Sequence, residues 1–180
     1  MRELSLNIMD VAQNSVAAGA SLIIIRAMER ENRLTIEIQD NGKGMTQAQV
    51  SQVTDPFFTT RTTRKVGLGV PLFKMQAEMT GGSFSIVSHL GEGTTVKAEF
   101  VTSHVDMIPL GDMDATILLL ITCNPERDFV YIRAKDGREF TLDTRQLRGV
   151  LGEEVPLNTP DVAAWIKEFL QEQTSYIEKG

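Results

Sequence analysis

The chain has 180 residues, 42% of them hydrophobic and 23% charged, with a formal net charge of −6. That length holds one domain, or one domain with a substantial extension, and encloses a core. The single cysteine, Cys123, excludes an internal disulfide framework and any multi-cysteine metal cluster. The longest uncharged apolar run, Ala115 to Ile121, falls far short of the roughly 20 residues of a membrane span, and the N-terminus lacks a secretory signal. A reduced, cytoplasmic protein is the expectation.

Leu4, Ile8, Val11, Ala12 and Val16 follow helical spacing, and Gly19 ends the run as a glycine just past a helix should. Leu22 to Ala27 and Leu34 to Gln39 read as strands. In the second, Leu34, Ile36 and Ile38 alternate with Thr35, Glu37 and Gln39, so one face is buried and one wet. Thr46, with Gln49 three residues on, opens a helix to Val53 with a capping box. A second helix covers Leu68 to Met79, and Ser83 to Ser88 and Thr94 to Phe100 form another strand pair. Helices on one face of a mainly antiparallel sheet make a two-layer α/β sandwich, an α+β fold.

The pattern changes after Ser103. Residues 1–104 carry ten basic and ten acidic side chains, so the whole negative excess lies in residues 105–180. Such an acidic surface disfavours nucleic acid as a partner. Ile117 to Ile121 reads as a buried strand, and Phe129 to Ala134 with Glu139 to Leu142 as a hairpin about Asp136-Gly137. Helices are expected from Asp143 and, more clearly, from Thr159-Pro160. In the last helix Val162, Trp165, Ile166 and Phe169 form one stripe, which serves equally as core or as a partner-binding face. Cys123 is expected to be a buried small hydrophobe.

Several segments suit a phosphate-bearing ligand. Asp40-Asn41-Gly42-Lys43-Gly44-Met45 follows a strand directly; Asn-Gly alone is equally a hairpin turn, although a helix rather than a returning strand comes next. A calcium loop fails, because the position requiring a bidentate glutamate is Ser51. Gly67-Leu68-Gly69 opens a helix, where free amides and the helix dipole favour phosphate oxygens. Before it, Thr59 to Lys65 contributes three cations and four hydroxyls, either a solvated basic loop or a cover over anionic phosphates. On the first helix Asn7, Asp10 and Asn14 share a face, which is either its wet side or part of a site.

In their order, and with Asp55-Pro56-Phe57-Phe58-Thr59-Thr60 among them, these segments closely resemble the GHKL ATP-binding fold of gyrase, heat-shock chaperones, histidine kinases and mismatch-repair MutL proteins. The resemblance covers about Glu3 to Phe100 and is strongest to the histidine-kinase branch. Asp10 to Ser15 looks like the N box, Asp40 to Met45 the G1 box, Asp55 to Thr60 the F box, Gly67 to Leu72 the G2 box, and Gly91 to Thr95 the last glycine-threonine element. The resemblance implies that Asn14 coordinates Mg2+ bridging the phosphates of ATP. Asp40 would accept the adenine amino hydrogen bond with Thr94 beside it, and Gly42 and Gly44 would shape the adenine pocket. Gly67 and Gly69 would present amides to phosphate, under a lid that carries Arg61, Arg64 and Lys65. Asp10 would be the general base, one methylene shorter than the glutamate found in many relatives.

The expected organisation is an ATP-binding domain over residues 1–104 and an acidic α+β extension over 105–180. The expected function is Mg-ATP binding with slow hydrolysis, or phosphoryl transfer to a protein partner held by the extension. The alternative is a nucleotide-dependent binding module of the anti-sigma or adaptor type, without turnover; either version is compatible with a homodimer. Because the sequence begins almost at the N box, a phosphoacceptor hairpin is not expected, and His89 and His104 are expected to be incidental.

Overall fold

The computed structural model describes residues 3–57 and 68–179. Among them the elements run α1 (Leu4–Ala17), β1 (Leu22–Arg30), β2 (Arg33–Asp40), α2 (Gln47–Val53), α3 (Gly69–Met79), β3 (Ser83–His89), β4 (Gly93–Val101), α4 (Met113–Cys123), β5 (Asp128–Lys135), β6 (Arg138–Asp143), α5 (Thr144–Leu151) and α6 (Pro160–Glu178). The six strands form one sheet in the order β3-β4-β2-β1-β5-β6. Every neighbouring pair is antiparallel except β1 with β5. This is the α+β sandwich expected from the alternating strands.

Its core lies between the sheet and α1, α3, α4 and α6. Leu4, Ile8, Val11 and Ala12 of α1, Ile23, Ile25 and Ala27 of β1, and Leu34, Ile36 and Ile38 of β2 are all buried in one cluster. Phe73 of α3 meets Phe100 of β4 with ring centroids 5.7 Å apart, a tilted pair. The helix-forming signals at Thr46, Asp143 and Thr159 act as caps: each side chain accepts a backbone N–H in the first turn that follows, and Thr46 completes its capping box with Gln49.

One element differs from the expectation. Ile117 to Ile121 lies within helix α4, not in a strand. Asp112 caps the helix by accepting the Ala115 N–H, and Met113, Thr116, Ile117, Leu120 and Ile121 are its buried positions, at i, i+3, i+4, i+7 and i+8. The period is hidden in the sequence because Leu119, on the wet side, is apolar too and is 51% exposed. Cys123, one turn beyond Leu119 on that same side, is exposed rather than buried.

The sheet continues across the 104/105 boundary, because β1 pairs along its length with β5. The connecting segment also completes α1. Pro109 and Leu110 carbonyls accept the N–H groups of Leu4 and Ser5, donors that a helix start otherwise leaves to water. The Glu3 carboxylate accepts from the Ser5 hydroxyl and the Asp112 N–H, and these bonds hold its carboxyl below the usual range. Among the described residues, no helix is long and apolar enough to cross a membrane.

Candidate functional site

Asp40 ends β2, and two local partners fix its carboxylate. Ser15 of α1 donates its hydroxyl to one oxygen at 2.6 Å, and the Gly42 N–H donates to the other at 2.8 Å. Each oxygen keeps acceptor capacity for a further donor. Thr94 stands opposite Asp40 in the β2–β4 register. Its hydroxyl lies 2.8 Å from that of Ser88, which also accepts the Met45 N–H at 2.8 Å. A single network therefore ties the loop after β2 to both strands of the second hairpin.

That loop, residues 41–45, runs between the end of α1 and the β3–β4 turn. Lys43 donates its N–H to the Ala18 carbonyl and accepts from the Gly91 N–H. Asn41 spends its side chain locally, accepting from the N–H groups of Ser21 and Leu22 and donating to the Ser21 hydroxyl. Gly44 has φ +73°, and a Cβ there would run into the His89 carbonyl, so both its dihedral and its neighbour demand glycine. The loop thus pairs with the α1 end and the β3–β4 turn instead of closing a hairpin.

Asp10 and Asn14 lie one turn apart on α1. Neither side chain has a hydrogen-bond partner among the described residues, and burial pushes the Asp10 carboxyl above its ordinary value. Gly69 is the first residue of α3, and its approach to α1 is close: a Cβ there would sit 3.0 Å from Asp10 Cβ. The start of α3, which no side chain among the described residues caps, is thereby seated beside Asp10. Asn7, the third polar residue of this face, does not meet water. It is fully buried, with neither amide atom partnered among the described residues.

The structure brings Asp40, Gly42, Gly44 and Thr94 together at one end of β2 and β4, and Asp10 and Gly69 at the α1–α3 contact, with Asn14 one turn further along α1. Ser15 links the two groups, since it follows Asn14 and bonds Asp40. Arg61, Arg64, Lys65 and Gly67 fall outside the described residues. Ser15 and Ser88 are the residues that sequence reasoning missed. Their partners lie 25 and 43 residues away, at a separation where no local pattern signals the bond. Chemically, the group offers a fixed carboxylate acceptor, a helix start and, among the described residues, one amide and one carboxylate without partners. Hard oxygen donors of this kind fit a divalent cation shared with phosphate. No cluster of three or more His, Cys, Asp or Glu side chains among the described residues could hold a metal by itself.

The histidines stand apart. His89 is exposed at the end of β3, and His104 lies in a turn, where its Nδ1 accepts the Asp106 N–H.

Comparison with known proteins gives the family. Residues 1–104 match the family described as histidine kinase-, DNA gyrase B-, and HSP90-like ATPases. A provisionally named sensor protein of Shewanella frigidimarina is 30% identical over 107 residues, covering 59% of this chain and 16% of that protein. The cell-division control histidine kinase PdhS of Brucella anthropi is 27% identical over 118 residues, covering 58% and 11% respectively. The chain thus spans a small fraction of the curated relatives it matches. The crystal structure of the N-terminal domain of a DNA repair protein superposes with a TM-score of 0.54 at 13% identity, over 79% of this chain and 52% of that one; this likeness concerns the fold. With more than half of its length matched, the chain belongs to the histidine kinase-, DNA gyrase B- and HSP90-like ATPases, and residues 1–104 form a histidine-kinase-like ATP-binding domain.

Proposed function

We propose that residues 1–104 bind Mg-ATP, and that the protein hydrolyses it slowly or transfers its terminal phosphoryl group to a protein partner. The observation that carries this reading is the Asp40 carboxylate, held by Ser15 and Gly42 with acceptor capacity left over, beside Thr94. Such an acceptor suits the exocyclic amine of adenine. Gly42 and Gly44 keep backbone rather than side chain against the base, and the start of α3 at Gly69, with Gly67 before it, offers amides to the phosphates. Arg61, Arg64 and Lys65 complete the reading as lid cations.

Asn14 would hold Mg2+ through its amide oxygen, together with the phosphates. The ion, when bound, neutralises charge on the phosphate oxygens. Asp10 takes the role of general base: its burial raises the proton affinity of the carboxylate, the direction a base working near neutral pH needs. It would accept the proton from water or from the partner's attacking group as that group bonds to the terminal phosphorus, the bridging bond to the β-phosphate breaks and ADP leaves. The rest of the catalysis is positioning and electrostatics.

Residues 105–180, which share the sheet, would serve as the partner-facing part. A cytoplasmic location follows from the proposed ligand. Titration calorimetry with ATP tests the reading. Asp40→Ala should weaken binding by about ten- to a hundredfold, since losing a charge-assisted hydrogen bond costs roughly 1.5–3 kcal/mol. Equal affinity in mutant and wild type would remove Asp40 from the site. Tight binding without turnover or transfer in single-turnover assays would leave the regulatory binding module as the function.

A further inference from the structure

The C-terminal half carries an apolar groove of about 450 Å3 that the nucleotide site does not use. Leu147, Val150 and Leu151 of α5 line one wall, and Val162, Trp165 and Phe169 of α6 the other. Leu142 of β6, the last strand of the sheet, lies between them. The groove is built rather than incidental. The Trp165 ring stacks on Phe169 at 5.2 Å and 14°, and Phe169 in turn meets Phe140 edge-on, so the aromatic wall is held in place before anything binds. Yet Val150 is 85% exposed and Trp165 48%.

Among the groove's lining residues Asp161 carries a free negative charge, and further acids stand near it along the chain. Glu153, Glu154, Asp161, Glu168 and Glu172 are exposed and make no ion pair among the described residues. Asp161, Trp165, Glu168 and Glu172 follow one another at i, i+4, i+7 and i+11 along α6, so the acids flank the exposed indole. The cations of α5 are already committed, Arg145 to Asp143 and Arg148 to Asp128, and Lys167 lies two residues from Trp165, on the other side of α6.

We propose that this groove docks an amphipathic helix of a partner protein, whose apolar stripe fills the groove and whose flanking Lys and Arg side chains meet the acidic rim. The anchors on both walls follow helical spacing, the ridges between which a third helix packs. The rim's charge selects a cationic occupant. It opposes an anionic lipid surface, and it opposes a second copy bringing the same acids. The inference deepens the partner part of the proposed function but stands on the groove alone. Three strand spacings, roughly 14 Å, separate β6 from β2 and the nucleotide site.

Trp165 is the only tryptophan and reports directly on the groove. The full chain is titrated with a synthetic helical peptide bearing Leu at i, i+3, i+4 and i+7 and Lys on its flanks, and with the same peptide carrying Glu for Lys. A saturable blue shift is expected with the Lys peptide, at least about tenfold tighter than with the Glu peptide and weakened by salt. Val150→Asp, at an exposed position, should abolish the shift while leaving ATP affinity unchanged. Because that variant adds negative charge, attraction by charge alone would survive it, and survival overturns the proposal. So do equal binding of the two peptides, no shift with either, or a shift with anionic vesicles at unchanged peptide response. A protein that sediments alone as a dimer, dissociated by Val150→Asp, would assign the groove to a second copy. If wild-type protein binds the peptide and not ATP, the nucleotide reading fails and the groove stands.

Discussion

The two halves of the sheet achieve their shapes by different means. Around Asp40 and Asp10, backbone approaches backbone: Gly44 against the His89 carbonyl, Gly69 against α1, the Lys43 carbonyl against the Gly91 N–H. In the C-terminal half, side chains do the work, with Ile166, Leu170 and Ile177 of α6 fully buried and aromatic rings interlocked along α6 and β6. Close backbone contact suits a site that presents amides and a fixed acceptor to a small ligand. Side-chain packing leaves an apolar groove with a charged rim, which suits a larger partner. Charge follows the same division, balanced in the first half and −6 in the second. Besides the β1–β5 ladder, charge crosses the divide at depth: buried Arg133 of β5 pairs with Glu29 of β1 and Glu178 of α6.

The sharpest way to break the comparison is to damage one half and look at the other. Ile166→Ala removes a fully buried side chain and should cost about 2–5 kcal/mol. Because β1 and β5 share a ladder, the loss should appear as one cooperative transition that also ends nucleotide binding. A two-step denaturation curve, with ATP binding surviving the first step, would show instead that the halves are independent folding units. The same reasoning splits the α6 stripe. Val162 and Ile166 are core, so truncation before Thr159 is expected to destabilise the whole protein, whereas Trp165 lies at the surface.

Asp10→Asn should lower the single-turnover rate about a hundredfold or more, with ATP affinity nearly intact. Asp10→Glu should keep or raise the rate. An unchanged rate in Asp10→Asn, measured with partner present, would take Asp10 out of the chemistry.

A smaller effect of opposite sign accompanies that loss. A carboxyl whose pKa is raised by burial holds its proton more tightly when folded, so the ionised group costs stability at neutral pH. The cost fades as pH falls through the folded pKa towards the unfolded value near 3.9. Asp10→Asn should therefore be slightly more stable than wild type at pH 7, with the difference shrinking in acid. Thermal melts at both pH values check this, and a variant less stable at pH 7 would contradict it.

The smallest effects should fall outside both sites. Cys123→Ser, on the wet face of α4, should change stability by less than about 0.5 kcal/mol. Incubation with labelled ATP should leave no acid-labile, base-stable phosphate on His89 or His104, neither of which stands in a helix. Label mapped to either histidine would reverse that expectation.

Much of this protein is written locally. The alternation in β2, the capping box at Thr46, the Asp-Gly turn at residues 136–137 and the Thr159-Pro160 helix start all operate within a few residues, and each forms as its pattern requires. The order of the glycine turns likewise carries the family, and at Gly44, Gly91 and Gly93 a positive φ fixes the residue type locally. The tertiary structure decided what local pattern does not encode. It made α4 a helix, since an apolar run shows no period until burial separates Leu119 from Leu120. It paired β1 with β5 in parallel and so drew residues 105–180 into the first half's sheet. It set Ser15 on Asp40 and Ser88 between Met45 and Thr94, and assembled the α5–α6 groove. Each of these depends on which distant segments meet, and the free energy that selects such a meeting comes from burial shared across the whole core rather than from any window of the sequence.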